Sequence, residues 1–149
     1  KVIRKHRLWE VFLVDHLHFG WDEVHEIAEQ LEHIQSDELM NRLDKMLGFP
    51  QYDPHGDPIP DQHGNINHHK DVSLNDLEIG ETGIIVGVKD HSPAFLQFLE
   101  KSQLLLGVEV ELENRFEFDA SMVLHTHQGE RTISSQVGKN LYVRKLEKQ

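Results

Sequence analysis

The feature that most constrains this chain is a set of metal-ligand residue types at helical spacing. His25, Glu29, Glu32 and His33 fall within one arc of about a hundred degrees if residues 22–34 form a helix. An apolar stripe runs beside this arc and consists of Val24, Ile27, Ala28, Leu31 and Ile34. Imidazoles and carboxylates at the edge of a core are costly to desolvate unless something such as a divalent cation neutralises them. The spacing is typical of helix-borne metal sites, although a solvated helix face would look the same.

Composition narrows the choice of metal and of partner. The 149 residues include no cysteine, so any metal must be held by nitrogen and oxygen. Such ligands favour manganese, ferrous iron, cobalt or zinc over cuprous copper and iron–sulfur clusters. The formal net charge of −11 makes this chain, by itself, a poor candidate for binding nucleic acid. No apolar run is long enough to cross a bilayer.

Three amphipathic patterns predict three helices in the first third of the chain. The first spans residues 2–18 and has no N-cap signal, so we expect it to be part of a longer helix. The second spans residues 22–34. The third begins after Ser36, a favourable N-cap, and ends at Gly48.

The hydrophobic period changes from 3.6 to 2 after a polar segment. Four strands are predicted, at residues 82–88, 108–113, 121–127 and 141–144, together with one helix at 93–103. We find no internal repeat. The expected organisation is α+β, with an N-terminal three-helix domain at residues 1–60, a linker at 61–71 and a small SH3-like β-barrel at 72–149.

Several segments resemble the diphtheria toxin repressor family of metal-dependent bacterial transcriptional regulators. They are Lys5-His6-Arg7-Leu8-Trp9-Glu10, Val24-His25-Glu26, Glu29-Gln30-Leu31-Glu32-His33, Ser36-Asp37-Glu38 and the loop Pro54-His55-Gly56-Asp57-Pro58-Ile59-Pro60. Residues 72–146 are more weakly similar to the SH3-like domain of that family, which also occurs in ferrous-iron transport accessory proteins. In the family a winged-helix DNA-binding domain comes first, and this sequence contains no counterpart of it.

The resemblance implies two metal sites. The family's ancillary site carries over onto His6, Glu10 and His25, and its remaining ligands would come from the SH3-like domain, near Asp90 and His91. The primary site carries over onto Glu29, Glu32 and His33, with His6 shared as in the manganese-sensing branch. Glu29 stands where the iron-sensing branch has a cysteine, and a hard carboxylate suits manganese. The implied cofactor is Mn²⁺ or Fe²⁺, with Zn²⁺, Co²⁺ or Ni²⁺ also able to bind in vitro.

The resemblance also implies a function and partners. The chain would be the metal-sensing and dimerisation portion of a cytoplasmic, metal-dependent repressor, with no membrane partner. A homodimer would form through Met40, Leu43 and Leu47. Operator DNA would be bound only through the missing winged-helix domain. Metal binding would favour the arrangement of helices and domains that suits the operator.

Two other functions stay open on the sequence alone. A metalloenzyme fragment could use the same His and Glu residues, but no H-E-x-x-H motif or set of catalytic polar residues accompanies them. A metal-sensor module fused to a transporter is the second alternative. His6 and Glu10 could equally form a buried hydrogen-bonded pair. His125 and His127, on one strand face, could chelate a metal or simply be exposed.

Overall fold

The computed structural model describes residues 2–65 and 71–147. The chain divides into two compact units, Lys1–His69 and Lys70–Gln149. Residues 66–70 of the predicted linker lie outside the described part. No helix in the described ranges is both long and apolar enough to span a membrane.

The first unit contains three helices, α1 (Val2–Asp15), α2 (Val24–Leu31) and α3 (Asp37–Met46). Their buried side chains form one core: Leu8, Trp9, Val11, Leu13, Val24, Ala28, Met40, Leu43 and Ile59. Ser36 caps α3 as predicted, because its hydroxyl accepts a hydrogen bond from the Leu39 N–H at 3.1 Å. The helix α1 ends at Asp15 rather than residue 18. His18 has a φ of 60°, which a continuing helix does not allow.

Two turns with the same hydrogen bonds follow α3, the first at residues 53–57 and the second at residues 61–65. In each, the first residue donates its N–H to the carbonyl of the fifth at 2.9 Å. The fourth residue is Gly56 in the first turn and Gly64 in the second, with φ values of +88° and +82° that favour glycine. Both turns carry the pattern Asp-x-His-Gly-Asp/Asn, a local similarity of five residues.

The second unit is built on a six-stranded antiparallel sheet with strand order β1-β6-β2-β3-β4-β5. The strands are β1 (Val72–Ser73), β2 (Thr82–Val88), β3 (Glu109–Arg115), β4 (Met122–Thr126), β5 (Gly129–Ile133) and β6 (Leu141–Lys145). Two helices, α4 (Pro93–Lys101) and α5 (Ser135–Lys139), lie between strands. All four predicted strands and the predicted helix are present. Two strands were missed, β1 because it has only two residues and β5 because Glu130, Arg131 and Thr132 are polar in succession.

Candidate metal centre

Three predicted ligands meet where α1 and α2 pack together. His6 and Glu10 lie one turn apart on α1, so they project from the same face. His25, on α2, brings its ring centroid to 4.9 Å from that of His6. One ligand atom from each of the three residues lies within 4.8 Å of the others. We call His6, Glu10 and His25 the metal cluster.

The three residues of the metal cluster differ in solvent exposure. Glu10 is only 2% exposed. The side chain of His6 is 16% exposed and that of His25 is 67% exposed. A shallow cavity that opens to solvent is lined by His6, His25, Glu29 and Glu32. Two of the three residues of the metal cluster therefore face this opening, whereas Glu10 is buried in the core.

Two further predicted ligands lie beside the metal cluster. Glu32 brings a carboxylate oxygen to 3.0 Å from Nδ1 of His6. Glu29 brings one to 3.7 Å from Nε2 of His25, in an exposed pair. The carboxylates predicted from the helical arc thus line the same opening as the two histidines.

His33 is the residue of the predicted helical arc that the structure does not place beside the metal cluster. The helix α2 ends at Leu31, and His33 lies exposed in the turn that follows. Neither of the two groups of potential metal ligands among the described residues contains His33. The arc assumed a helix that continues to residue 34, so the early end of α2 explains the difference. A ligand role for His33 stays a prediction.

Hydrogen bonds within the metal cluster shift the pKa values of two of its members. The hydrogen bond to Glu10 raises the pKa of His6, and the negative charges of Glu10 and Glu32 add to this effect while burial opposes it. Burial alone would raise the pKa of Glu10, but its hydrogen bonds to His6 and Asp53 and the nearby His55 outweigh burial and lower it. The hydrogen-bonded pair expected as an alternative is therefore formed by two of the candidate ligands.

A second buried group, which sequence reasoning missed, lies behind Glu10. It consists of Glu10, Asp53 and His55, and all three are at most 5% exposed. Burial, and then the charges of Asp57 and Glu10, raise the pKa of Asp53 to about 9. Asp53 is therefore neutral at pH 7 and is hydrogen-bonded to Glu10. The available signal was the loop around His55, which contributed to the family resemblance but not to the predicted ligand set.

The donor set of the metal cluster fits a divalent ion. Two imidazoles and a carboxylate, with Glu29 and Glu32 adjacent, offer only nitrogen and oxygen atoms. Manganese, ferrous iron, cobalt and zinc all accept such ligands. Negative charge held in a partly buried site also needs a counter-charge. His6, Glu10 and His25 are the residues that would hold the ion.

Asp90 and His91 lie in the second unit, in the turn before α4. The Asp90 carboxylate accepts a hydrogen bond from the Ser92 N–H at 2.8 Å, and a ring nitrogen of His91 lies 3.3 Å from the Val88 carbonyl. These contacts describe an ordinary helix-entry turn. Neither residue belongs to a group of potential ligands within the described ranges, so their ligand role stays a prediction.

The expected dimer surface stays a prediction. Met40 is 1% exposed and Leu43 is 7% exposed, because both are part of the core of the first unit, and the half-buried Leu47 packs against that core. The apolar side chains that this part of the chain exposes are Leu39, Met46 and Phe49. The helix α3 buries one apolar flank and exposes another, and the sequence did not tell the two apart.

Comparisons with known proteins match both units. Residues 1–61 match the family described as "Iron dependent repressor, metal binding and dimerisation domain", and residues 72–145 match the FeoA domain. A solved structure titled "Manganese-dependent transcriptional repressor complex with manganese" is similar over 97% of this chain and 69% of its own, at 36% identity and a TM-score of 0.90.

Two curated relatives match 40% of this chain. The iron-dependent repressor IdeR of Mycobacterium bovis is 48% identical over 59 residues, which cover 40% of this chain and 26% of IdeR. A probable metal transport system membrane protein of Chlamydia trachomatis is 52% identical over 60 residues, 40% of this chain and 13% of that protein. The matched stretch thus spans about a quarter or less of these relatives.

The fold and the site define a metal-binding and dimerisation domain followed by an SH3-like FeoA domain. The chain belongs to the diphtheria toxin repressor family of iron- and manganese-dependent transcriptional repressors.

Proposed function

We propose that this chain is the metal-sensing and dimerisation portion of a transcriptional repressor that responds to manganese or ferrous iron. The observation that carries the proposal is the convergence of His6 and Glu10 from α1 with His25 from α2. The match to solved manganese-dependent repressors across both units supports it. We propose no catalytic role.

Metal sensing would depend on ligands that come from two packed helices, α1 and α2. Glu10 is fixed in the core, His6 is half-buried beside it, and His25 is the exposed residue that must become ordered. A divalent ion, when bound, supplies the positive charge that these ligands need. Because the ligands come from two helices, the ordered arrangement ties α1 to α2 and favours one conformation of the unit.

The carboxylates around the opening favour a hard ion. Glu29 and Glu32 line the cavity beside the metal cluster, and the whole chain has no cysteine to offer a softer ligand. Such oxygen-rich sites suit Mn²⁺, although Zn²⁺ binds more tightly in vitro by the usual order of metal affinities. We propose Mn²⁺ or Fe²⁺ as the physiological ion.

We also propose that the full-length protein acts as a homodimer on operator DNA. The description of the matched domain includes dimerisation. We place the contact on the exposed apolar side chains Leu39, Met46 and Phe49. With a net charge of −11, this chain needs another part of the protein to contact DNA.

A sensor module within a metal transport protein is the alternative that the sequence left open, and 60 residues of this chain match the Chlamydia trachomatis membrane protein. That match covers 40% of this chain, whereas the likeness to solved repressors covers 97% of it. The repressor is therefore the better supported proposal.

The test is a calorimetric titration of the metal-stripped chain with Mn²⁺. The parent should bind saturably, and a His6→Ala, His25→Ala double variant should lose about 100-fold or more in affinity, beyond the range for supporting residues. A His125→Ala, His127→Ala variant removes the same number of histidines from the second unit and should bind like the parent. Equal binding by the His6, His25 variant would refute the proposal.

A further inference from the structure

The buried group behind Glu10 includes one of the two matched turns. In the first turn the Asp53 carboxylate accepts hydrogen bonds from the backbone N–H groups of His55 and Asp57, at 2.9 and 2.8 Å. In the second turn Asp61 accepts from the N–H groups of His63 and Asn65, at 2.8 and 3.0 Å. The two aspartates therefore support their own turns in the same way. They differ in surroundings, because only Asp53 is buried against Glu10.

His55 is held in a defined orientation beside Glu10. Its Nε2 lies 2.7 Å from the Trp21 carbonyl oxygen, which can only accept a hydrogen bond, so Nε2 is a donor, and an ion pair between Nδ1 and Glu10 requires a second proton on the ring. The ring also stacks on the Trp21 indole, with centroids 5.9 Å apart and an interplanar angle of 16°. Nδ1 consequently faces the Glu10 carboxylate, 3.5 Å from Oε2.

The same Glu10 oxygen lies between two imidazoles. Oε2 is 3.5 Å from His6 Nε2 on one side and 3.5 Å from His55 Nδ1 on the other. The Glu10 carboxylate is also hydrogen-bonded to Asp53. Asp53 and His55 therefore restrict the rotation of a side chain that would otherwise sample several rotamers.

We infer that Asp53 and His55 are positioning residues that hold the Glu10 carboxylate in the orientation needed to bind a metal together with His6 and His25. This rests on the proposed function. Outer-shell partners of this kind orient ligands and typically change metal affinity 10–100-fold when removed. The Asp53 carboxyl group lies beside Glu10 in the same buried group, and its Oδ1 is already used by two backbone N–H groups.

Their position sets them apart from His6 and His25. Asp53 and His55 form with Glu10 a second, fully buried group that includes neither histidine of the metal cluster. His6 and His25 line the cavity that opens to solvent, whereas Asp53 and His55 do not. We therefore expect removal of Asp53 or His55 to weaken binding without changing the number of ions bound.

Three aspartate variants test the inference. Asp53→Ala removes both the turn contacts and the contact with Glu10, whereas Asp61→Ala removes only the equivalent turn contacts. Asp53→Asn keeps an acceptor oxygen for the turn and an N–H donor for Glu10. We expect Mn²⁺ affinity to fall about 10–100-fold in Asp53→Ala and to change little in Asp53→Asn and Asp61→Ala. The visible spectrum of the Co²⁺-loaded protein should change only in Asp53→Ala, because it reports the geometry of the ligands.

The inference is overturned if Asp53→Asn loses as much affinity as Asp53→Ala or binds fewer ions, since Asp53 would then be a ligand. It is also overturned if Asp53→Ala binds like the parent. If Asp53→Ala does not fold, His55→Gln takes its place, because glutamine keeps a donor for the Trp21 carbonyl but removes the nitrogen facing Glu10. It should bind more weakly with the same stoichiometry, and parent-like affinity would overturn the inference.

The His6→Ala, His25→Ala variant separates this inference from the proposed function. If that variant loses Mn²⁺ binding while Asp53→Ala and His55→Gln keep it, only the positioning role fails. If the histidine variant binds normally, the metal site lies elsewhere and both proposals fail.

Discussion

His6 joins α1 to the end of α2 through Glu32, whose carboxylate oxygen lies 3.0 Å from His6 Nδ1. The other ring nitrogen of His6 is 3.5 Å from Glu10, one turn further along α1. One imidazole thus links the carboxylate of the metal cluster to a carboxylate of the helical arc. This geometry supports the proposal that His6 is shared between the two predicted sites.

Glu32→Gln should weaken Mn²⁺ binding, because it removes the negative charge beside His6 while keeping the size of the side chain. We expect a loss of about 10-fold or more, measured by calorimetry. Glu38→Gln is the control, since Glu38 forms an exposed pair with Arg42 at 2.7 Å, and such pairs contribute little. Equal affinities for the two variants would argue against a role for Glu32.

Replacing the carboxylate of Glu29 should change metal preference. Glu29→Cys introduces a thiolate beside His25, and softer ligands favour later metals. We expect the ratio of Co²⁺ to Mn²⁺ affinity to rise, together with a sulfur-to-cobalt charge-transfer band. Glu26→Cys places a thiol at another exposed position of α2 and should show neither effect. A cobalt–thiolate band in Glu26→Cys alone would place the metal on another face of the helix.

The stability of the metal-free protein should fall as pH rises from about 5 to 8. The native state keeps the Asp53 proton up to a pKa of about 9, whereas the unfolded chain loses it near 3.8, so the native state binds more protons in this window. The raised pKa of His6 acts in the same direction. Asp53 alone contributes a slope of up to about 1.4 kcal/mol per pH unit.

Urea unfolding in EDTA at pH 5 and pH 8 measures this dependence. Asp53→Asn has no proton to lose, so its free energy of unfolding should vary less with pH than that of the parent. Asp61→Asn should keep the parent's dependence, because Asp61 is exposed. Identical slopes for the parent and Asp53→Asn would mean that Asp53 is already ionised at pH 5.

Replacing each of the two methionines of α3 tests the proposed dimer contact, which includes Met46 but not Met40. Met40→Ala should reduce the free energy of unfolding by about 2–5 kcal/mol, because Met40 is buried in the core. Met46→Ala should change it by less than about 0.5 kcal/mol, since the side chain is 54% exposed. Sedimentation equilibrium should show weaker dimers for Met46→Ala. Unchanged dimers would remove Met46 from the interface.

Local patterns allowed most of the fold to be predicted. Helix periodicity, the Ser36 cap and the alternation in β2 are properties of neighbouring residues, so they are visible in the sequence. The boundaries were less certain, because α1 ends where His18 adopts a positive φ and α2 ends before His33. These two ends depend on how the chain turns within the folded unit.

Only part of the candidate site was predicted from the sequence. His6, Glu10 and His25 came from a family resemblance, and the structure brings them together. Asp53 and His55 lie more than forty residues from Glu10, and no periodicity relates them to it. Their role depends on burial against α1, which only the folded chain reveals.

Crystals grown with Mn²⁺ provide the most direct test of the metal cluster. An anomalous difference map collected above the manganese edge locates the ion without reference to any assumed ligand. We predict a peak within bonding distance of His6, Glu10 and His25. The absence of this peak from crystals saturated with Mn²⁺, whether or not a peak lies elsewhere, would contradict the account.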